Sequence, residues 1–317
     1  MTDRDAEQVE LEEEYGVLRP MLFSIAYRML GSVVDAEDVV SDAYFRLRRT
    51  IDEHREIRDP KHYLATVVTR LSIDHLRSAR VRREAYVGPW LPEPLVGTAD
   101  VVDFERVELS DTLSMAFLVL LERLSPTERA VFLLREVFEF DYPALARIVD
   151  KTEPNCRQIL RRAKRQIEHG RPRFEAVRAE RDALADRFFA AIVEGELSPL
   201  VELLTEDVVM HGDGGGQGPS FRRLVVGREK VLRLMSFWSD TITKVGLHLE
   251  RAEVNGQPGA LFRDHEGRLL NVMALDVADG GIQTVRSVIN PAKLQHLGPL
   301  LDGRGVTRRL HRARRTG

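Results

Sequence analysis

Apolar residues recur at helical spacing from early in the chain. Tyr15, Leu18, Leu22, Ile25 and Met29 mark an amphipathic helix that starts near Leu11 and is ended by Gly31. A second helix follows at once. Asp35 is placed to cap it, with Asp38 three residues on, and Val39, Val40, Ala43, Tyr44 and Leu47 form its inward stripe. After a polar loop from Thr50 to Arg58, Asp59-Pro60 opens a third helix that reaches past Arg77. Leu64, Val67, Val68, Leu71 and Leu76 face inward there, while Arg70, Asp74 and Arg77 share another face. Periodicity then fails between residues 84 and 107, where Gly88, Pro89, Pro92, Pro94 and Gly97 surround Trp90 and Leu91. Glycine and serine would make a flexible spacer. Trp90-Leu91-Pro92-Glu93-Pro94 is instead a stiff, extended segment whose large apolar side chain wants a groove.

The stretch from Ser125 to Ile167 reads as helices bent around short turns. Ser125-Pro126-Thr127-Glu128 is a helix start with a capping box and proline at the first helical position. Arg129 to Phe138 forms a supporting helix. Asp141 opens another through Ala144, Leu145, Ile148 and Val149, and Asp150-Lys151-Thr152 turns into a long third helix that Gly170 and Pro172 stop. In this last helix Cys156, Ile159, Leu160, Ala163 and Ile167 face inward. Asn155, Arg157, Gln158, Arg161, Arg162 and Arg165 stay outside, the layout of a helix that reads the major groove of duplex DNA. Between Lys151 and Arg173, eight basic side chains stand against Glu153 and Glu168, a charge suited to phosphate contacts. Arginine pairs bidentately with guanine and glutamine with adenine.

Past Pro172 the character changes. A helix from Arg181 to Val193 carries Leu184, Phe188, Phe189 and Ile192 and ends at Gly195; a shorter one lies near Leu200 to Leu204, and another helical run reaches Trp238. Alternating segments follow at Val245 to Val254, Gly259 to Arg263, Leu269 to Val277 and Ile282 to Ile289, with Asn255-Gly256 and Asp279-Gly280 as hairpin signals. Helices followed by a meandering antiparallel sheet predict an α+β domain, its sheet wrapped on the helices.

The chain has 317 residues, enough for two or three domains, and its net charge of -3 hides segregation: residues 1 to 14 hold seven acids against Arg4, while the last stretch is arginine-rich. The single cysteine, Cys156, falls on an inward face, which excludes a disulfide framework within one chain and a cysteine-ligated metal centre. No apolar run approaches the roughly 18 residues of a membrane span, and the acidic start is unlike a signal peptide, so a cytoplasmic protein with no membrane partner is expected.

Asp35-Ala36-Glu37-Asp38-Val39-Val40, the stretch Tyr63 to Arg77 with Ile73-Asp74-His75-Leu76-Arg77, and the Ser125 to Ile167 unit together resemble the extracytoplasmic-function sigma factors of bacterial RNA polymerase. Trp90-Leu91-Pro92-Glu93-Pro94, Asp213-Gly214-Gly215-Gly216 and Asn290-Pro291-Ala292-Lys293-Leu294 are similar to markers of the subgroup with a fused SnoaL-like domain. The resemblance covers nearly the whole chain. It implies two all-α sigma domains followed by an α+β cone-shaped barrel: sigma-2 at 1–84, a linker at 85–107, a helix-turn-helix sigma-4 domain at 108–172, the SnoaL-like domain at 173–300 and a basic tail at 301–317.

It also implies partners and roles. Core RNA polymerase would be met through its beta-prime clamp and beta subunit, with Asp35, Asp38, Ser41 and Asp42 on the clamp. Arg70, Asp74, Arg77 and Arg80 would meet the −10 element of promoter DNA, and the outward residues of the long helix the −35 element. Trp90 to Pro94 would contact Asp213, Gly214, Gly215, Gly216, Asn290, Pro291 and Lys293, holding the linker in cis in place of a separate inhibitor protein. The chain departs from the family at Ser41-Asp42, where Gln-Glu is usual, at Gln217 in place of lysine, and at Ala292 in place of an acid. The last two substitutions remove a charge from the regulatory contact. A sigma factor has no catalytic residues, metal or cofactor; a small ligand of unnamed chemistry in the cone stays open.

Two other readings stay open. A ligand-sensing one-component regulator would bind palindromic DNA as a dimer without polymerase. A SnoaL-like isomerase or hydrolase would use His211 and Asp213, which lie close in sequence but flank a glycine run that reads as a turn.

Overall fold

The computed structural model describes residues 3–84, 86, 88–97, 110–168, 178–216, 223–303, 305 and 306. The expected stops at Gly170 and Pro172, Arg171, Arg173, Gln217, the side chain of Arg80 and the arginines of the tail lie outside the described residues. The chain divides into two compact units. One holds residues 1–84, 98–112 and 117–171; the other holds 85–97, 113–116 and 172–317.

The first unit is helical. Helix α1 (Asp3–Leu30), α2 (Val33–Asp52) and α3 (Pro60–Glu84) bury Leu22, Ile25 and Met29 against Val39, Val40, Ala43 and Leu47 and against Leu64 and Val68. Gly31 ends α1 with φ +67°, the left-handed conformation that glycine tolerates best. The cap of α2 is Ser32, not Asp35: its hydroxyl accepts the N–H of Asp35 at 3.1 Å, which puts Asp35 in the first turn. At the start of α3, Asp59 accepts the N–H of His62 at 2.9 Å.

Short helices α4 (Ser110–Leu113) and α5 (Met115–Leu121) precede α6 (Pro126–Glu136), α7 (Tyr142–Val149) and α8 (Glu153–Glu168). The capping box at Ser125 and Glu128 is present in both directions. Asp141 caps α7 through the N–H of Ala144 at 2.8 Å, and Asp150 turns the chain out of α7 at φ +53°. Buried Arg129 fixes α6 by donating to the carbonyl of Met29, the penultimate residue of α1, at 2.6 Å.

In the second unit, α9 (Arg178–Glu194), α10 (Ser198–Leu203) and α11 (Arg228–Val245) pack Phe188, Phe189, Leu200, Met235 and Trp238 on one face of a six-stranded sheet. Its strands are β1 (Leu204–Asp213), β2 (Val225–Val226), β3 (His248–Val254), β4 (Gln257–Arg263), β5 (Leu269–Ala278) and β6 (Gly281–Val288), in the order β2-β1-β6-β5-β4-β3. The expected meander is β3 to β6, with positive φ at Asn255-Gly256 and Asp279-Gly280 in its turns. Sequence periodicity misses β1, which pairs parallel to β6, so the sheet is mixed and not purely antiparallel. It also stops α11 too early: the helix runs on to Val245 and the strand begins at His248. Register shifts in β1, β4 and β5 bend these strands. The result is an α+β unit in which a bent, mixed six-stranded sheet packs on three helices.

Candidate nucleic-acid interface and linker seat

All five residues expected to face inward from α8 are buried, and Asn155, Arg157, Gln158, Arg161, Arg162 and Arg165 are all exposed. The capped turn before α8 sets this rotation. Arg157 is held ready by Glu153, one turn earlier at 2.9 Å, and by the ring of Tyr142 at 4.5 Å. Arg162 stands 4.0 Å from Glu128 and Lys164 2.6 Å from Glu136, contacts that fasten one flank of α8 to α6. Gln158 and Arg161 lie on the solvent face.

On α2, Asp38, Ser41 and Asp42 are exposed beside Phe45, a large apolar side chain 67% exposed, and their spacing puts them on one face. Asp35 is half-buried and lies 3.3 Å from His75. On α3, Asp74 and Arg77 are exposed and 3.4 Å apart. Arg70 donates from Nε to the carbonyl of Ile148 at 3.0 Å and from Nη2 to that of Arg147 at 2.8 Å. Those carbonyls end α7, where a cation suits both the orphan acceptors and the helix dipole.

In the second unit β1 sends Val208 and Met210 into the core and, by alternation, His211 and Asp213 to the other face. The segment 88–97 lies on that part of the molecule. Asp213 is fully buried and its carboxylate is saturated: Oδ1 accepts from the Tyr86 hydroxyl and the Gly215 N–H, Oδ2 from the Leu91 N–H at 2.8 Å and from Lys293 Nζ at 2.7 Å. Lys293 Nζ also donates to the Leu91 carbonyl and sits 4.8 Å from the Tyr86 ring and 4.5 Å from the Trp90 ring. Buried charge is tolerated here because each ion is paired and hydrogen-bonded.

Leu91 is fully buried, and Pro92, Glu93 and Pro94 are buried beside it. His296 bonds the Pro94 carbonyl at 2.8 Å, and farther along Leu95 and Asn255 exchange bonds of 2.9 and 2.8 Å. Asn290 caps the turn Pro291–Lys293 through the N–H of Ala292, gives Nδ2 to the Tyr86 hydroxyl at 2.8 Å, and gives its backbone N–H to the Asp213 carbonyl at 3.0 Å. Gly214 is buried and Gly216 exposed. At Gly215, φ is +56° and a Cβ would collide with Asn290 Nδ2, so this glycine makes room for Asn290 and not for the linker itself. Sequence reasoning missed Tyr86, His296 and Asn255. Asn255 carried only a turn signal, and Tyr86 stands in a stretch without periodicity.

Burial, and then the positive charge of Arg286 at 3.4 Å, push the His211 imidazole down to about 4. Burial, with the negative Asp213 beside it, raises the Tyr86 phenol above its ordinary value. Neither residue titrates near neutral pH.

The Sigma-70 region 2 family model matches residues 15–82 and the Sigma-70 region 4 model residues 114–167. Over 88% of its length the chain is 34% identical to the ECF RNA polymerase sigma factor SigJ of Mycobacterium tuberculosis, of which 92% is covered. It belongs to the ECF sigma factors. The probable ECF sigma factor SigI of the same organism is 32% identical over 90% of this chain and 95% of its own. The crystal structure of the M. tuberculosis SigJ superposes with a TM-score of 0.69 at 31% identity, covering 89% of this chain and 98% of that one. The protein is thus an alternative sigma factor that joins core RNA polymerase to promoter DNA and directs transcription initiation. Among the described residues no helix is long and apolar enough to cross a membrane, and no cluster of side chains has the make-up of a metal site.

Proposed function

We propose that this sigma factor is controlled in cis by its SnoaL-like domain, which holds the linker and thereby governs the reach of the two DNA-reading domains. The observation that carries this reading is the Asp213 carboxylate, shared by the Leu91 N–H and Lys293. A surface patch would not bury a carboxylate, an ammonium and an irregular backbone segment together; doing so is stable only while all three meet.

In this reading Asp38, Ser41 and Asp42 of α2 meet the beta-prime clamp, with Phe45 as the apolar anchor, and the sigma-4 domain meets the beta subunit. Arg70, Asp74, Arg77 and Arg80 serve the −10 element, and Asn155, Arg157, Gln158, Arg161, Arg162 and Arg165 the −35 duplex. Arg70 commits Nε and one N–H of Nη2 to the end of α7, which leaves the Nη1 donors of this exposed side chain for a phosphate. The domains are sigma-2 at 1–84, linker at 85–107, sigma-4 at 108–172, the SnoaL-like domain at 173–300 and the tail beyond. The protein works in the cytoplasm with polymerase and performs no covalent chemistry: Asp213 has no free lone pair aimed at a substrate, and His211 is neutral and walled by Arg286.

Replacing residues 90–94 by glycine and serine in the full chain tests the proposal. Transcription from a cognate promoter should change strongly while binding to core polymerase persists. Equal output from the two proteins contradicts control in cis.

A further inference from the structure

A groove of about 260 Å³ lies in the second unit between the first turn of α9 and the β3–β4 hairpin. Its walls carry Arg178, Arg181 and Arg251 against Asp182 and Glu253. Two of the arginines are neutralised. Arg178 pairs with Glu253, and Arg251 pairs with Asp186 at 2.8 Å while lying over the Phe189 ring. Arg181 has no acid within ion-pair distance among the described residues; its Nη1 donates to Gln257 Oε1 at 3.3 Å. Gln257 is 1% exposed, and both its Nε2 and the Nε of Arg181 are buried without an acceptor.

An orphan donor on Arg181, itself an uncompensated guanidinium on the groove wall, asks for an acceptor that also carries negative charge. An oxyanion supplies both through charge-assisted hydrogen bonds. We propose that this groove binds a small oxyanion, a phosphate or carboxylate head group, with Arg181 on its wall as the countercharge and Gln257, buried behind it, as the residue that positions the guanidinium. The groove shares Glu253 with the linker, since the Glu253 carbonyl accepts the N–H of Gly97 at 3.0 Å.

Calorimetric titration of the full chain with inorganic phosphate, and separately with acetate, at constant ionic strength tests the site. One of the two anions should bind saturably, and the arm that responds identifies the head group. Arg181→Gln should weaken it at least about tenfold, Gln257→Leu should weaken it with Arg181 intact, and Arg161→Gln on the DNA-reading helix should leave it unchanged. Thermal unfolding without anion checks that the variants fold; Arg181→Lys, which keeps the charge but not the Nε donor, serves if Arg181→Gln does not. No saturable binding of either anion, equal affinity after the Arg181 substitution, or loss through Arg161→Gln would each overturn the proposal.

Discussion

The carboxylate of Asp213 accepts the backbone N–H of Leu91 at 2.8 Å across 122 positions of sequence, and Lys293 binds the same carboxylate oxygen. Removing one member leaves the other charge buried and unpaired. Asp213→Ala should therefore cost the second unit about 3–5 kcal/mol in chemical denaturation. Adding Lys293→Met should recover part of that loss, because the orphan ammonium is gone. Losses that simply add would show that the two residues do not act as a pair.

Gly215 combines a left-handed backbone with a close neighbour. Gly215→Ala should destabilise by about 2 kcal/mol or more, through strain and through displacement of Asn290 from the Tyr86 hydroxyl. Gly246 caps α11 at φ +73° with nothing within 4 Å of the place a methyl group would take, so Gly246→Ala should cost only about 1 kcal/mol. Equal losses for the two would mean that Asn290 yields freely.

His211 links stability to pH. Its folded value of about 4 lies below its ordinary 6.5, so between these values the unfolded chain holds a proton that the folded chain refuses. Stability is intact above about 6.5 and falls as the pH drops toward 4. Compared with His211→Gln, the wild type should lose on the order of 2 kcal/mol more between pH about 7.5 and about 4.5, read from denaturant midpoints. Parallel pH profiles would place His211 outside the effect.

Arg161 projects from the solvent face of α8. Arg161→Ala should cost about 1–3 kcal/mol of discrimination at one base pair of the −35 element while leaving affinity for core polymerase intact. The check is a transcription assay over promoters varied singly at that element. An unchanged ranking would remove Arg161 from the readout.

Much of the molecule was legible in its sequence because local rules decide it. The capping box at Ser125 and the Asn-Gly and Asp-Gly turns each depend on a few neighbouring residues, and the inward stripe of α8 on one helical period. Most of what escaped depends on distant partners. Leu204-Thr205-Glu206-Asp207 hides the start of β1 behind polar residues, and only β6, some 75 positions on, makes the strand parallel. Ser32 displaced Asp35 as the cap of α2 by a shift of one turn. The seat of Trp90 to Pro94 was expected from resemblance, and its chemistry was not: Tyr86 and His296 carry no pattern, and the burial of Asp213 with Lys293 exists only once the sheet has formed.

Promoter-specific transcription by core polymerase carrying either the wild-type chain or the Asp213→Ala, Lys293→Met double variant, matched for polymerase occupancy, bears most directly on control in cis. Freeing the linker should change the output by more than about fivefold. Identical output at equal occupancy would contradict it.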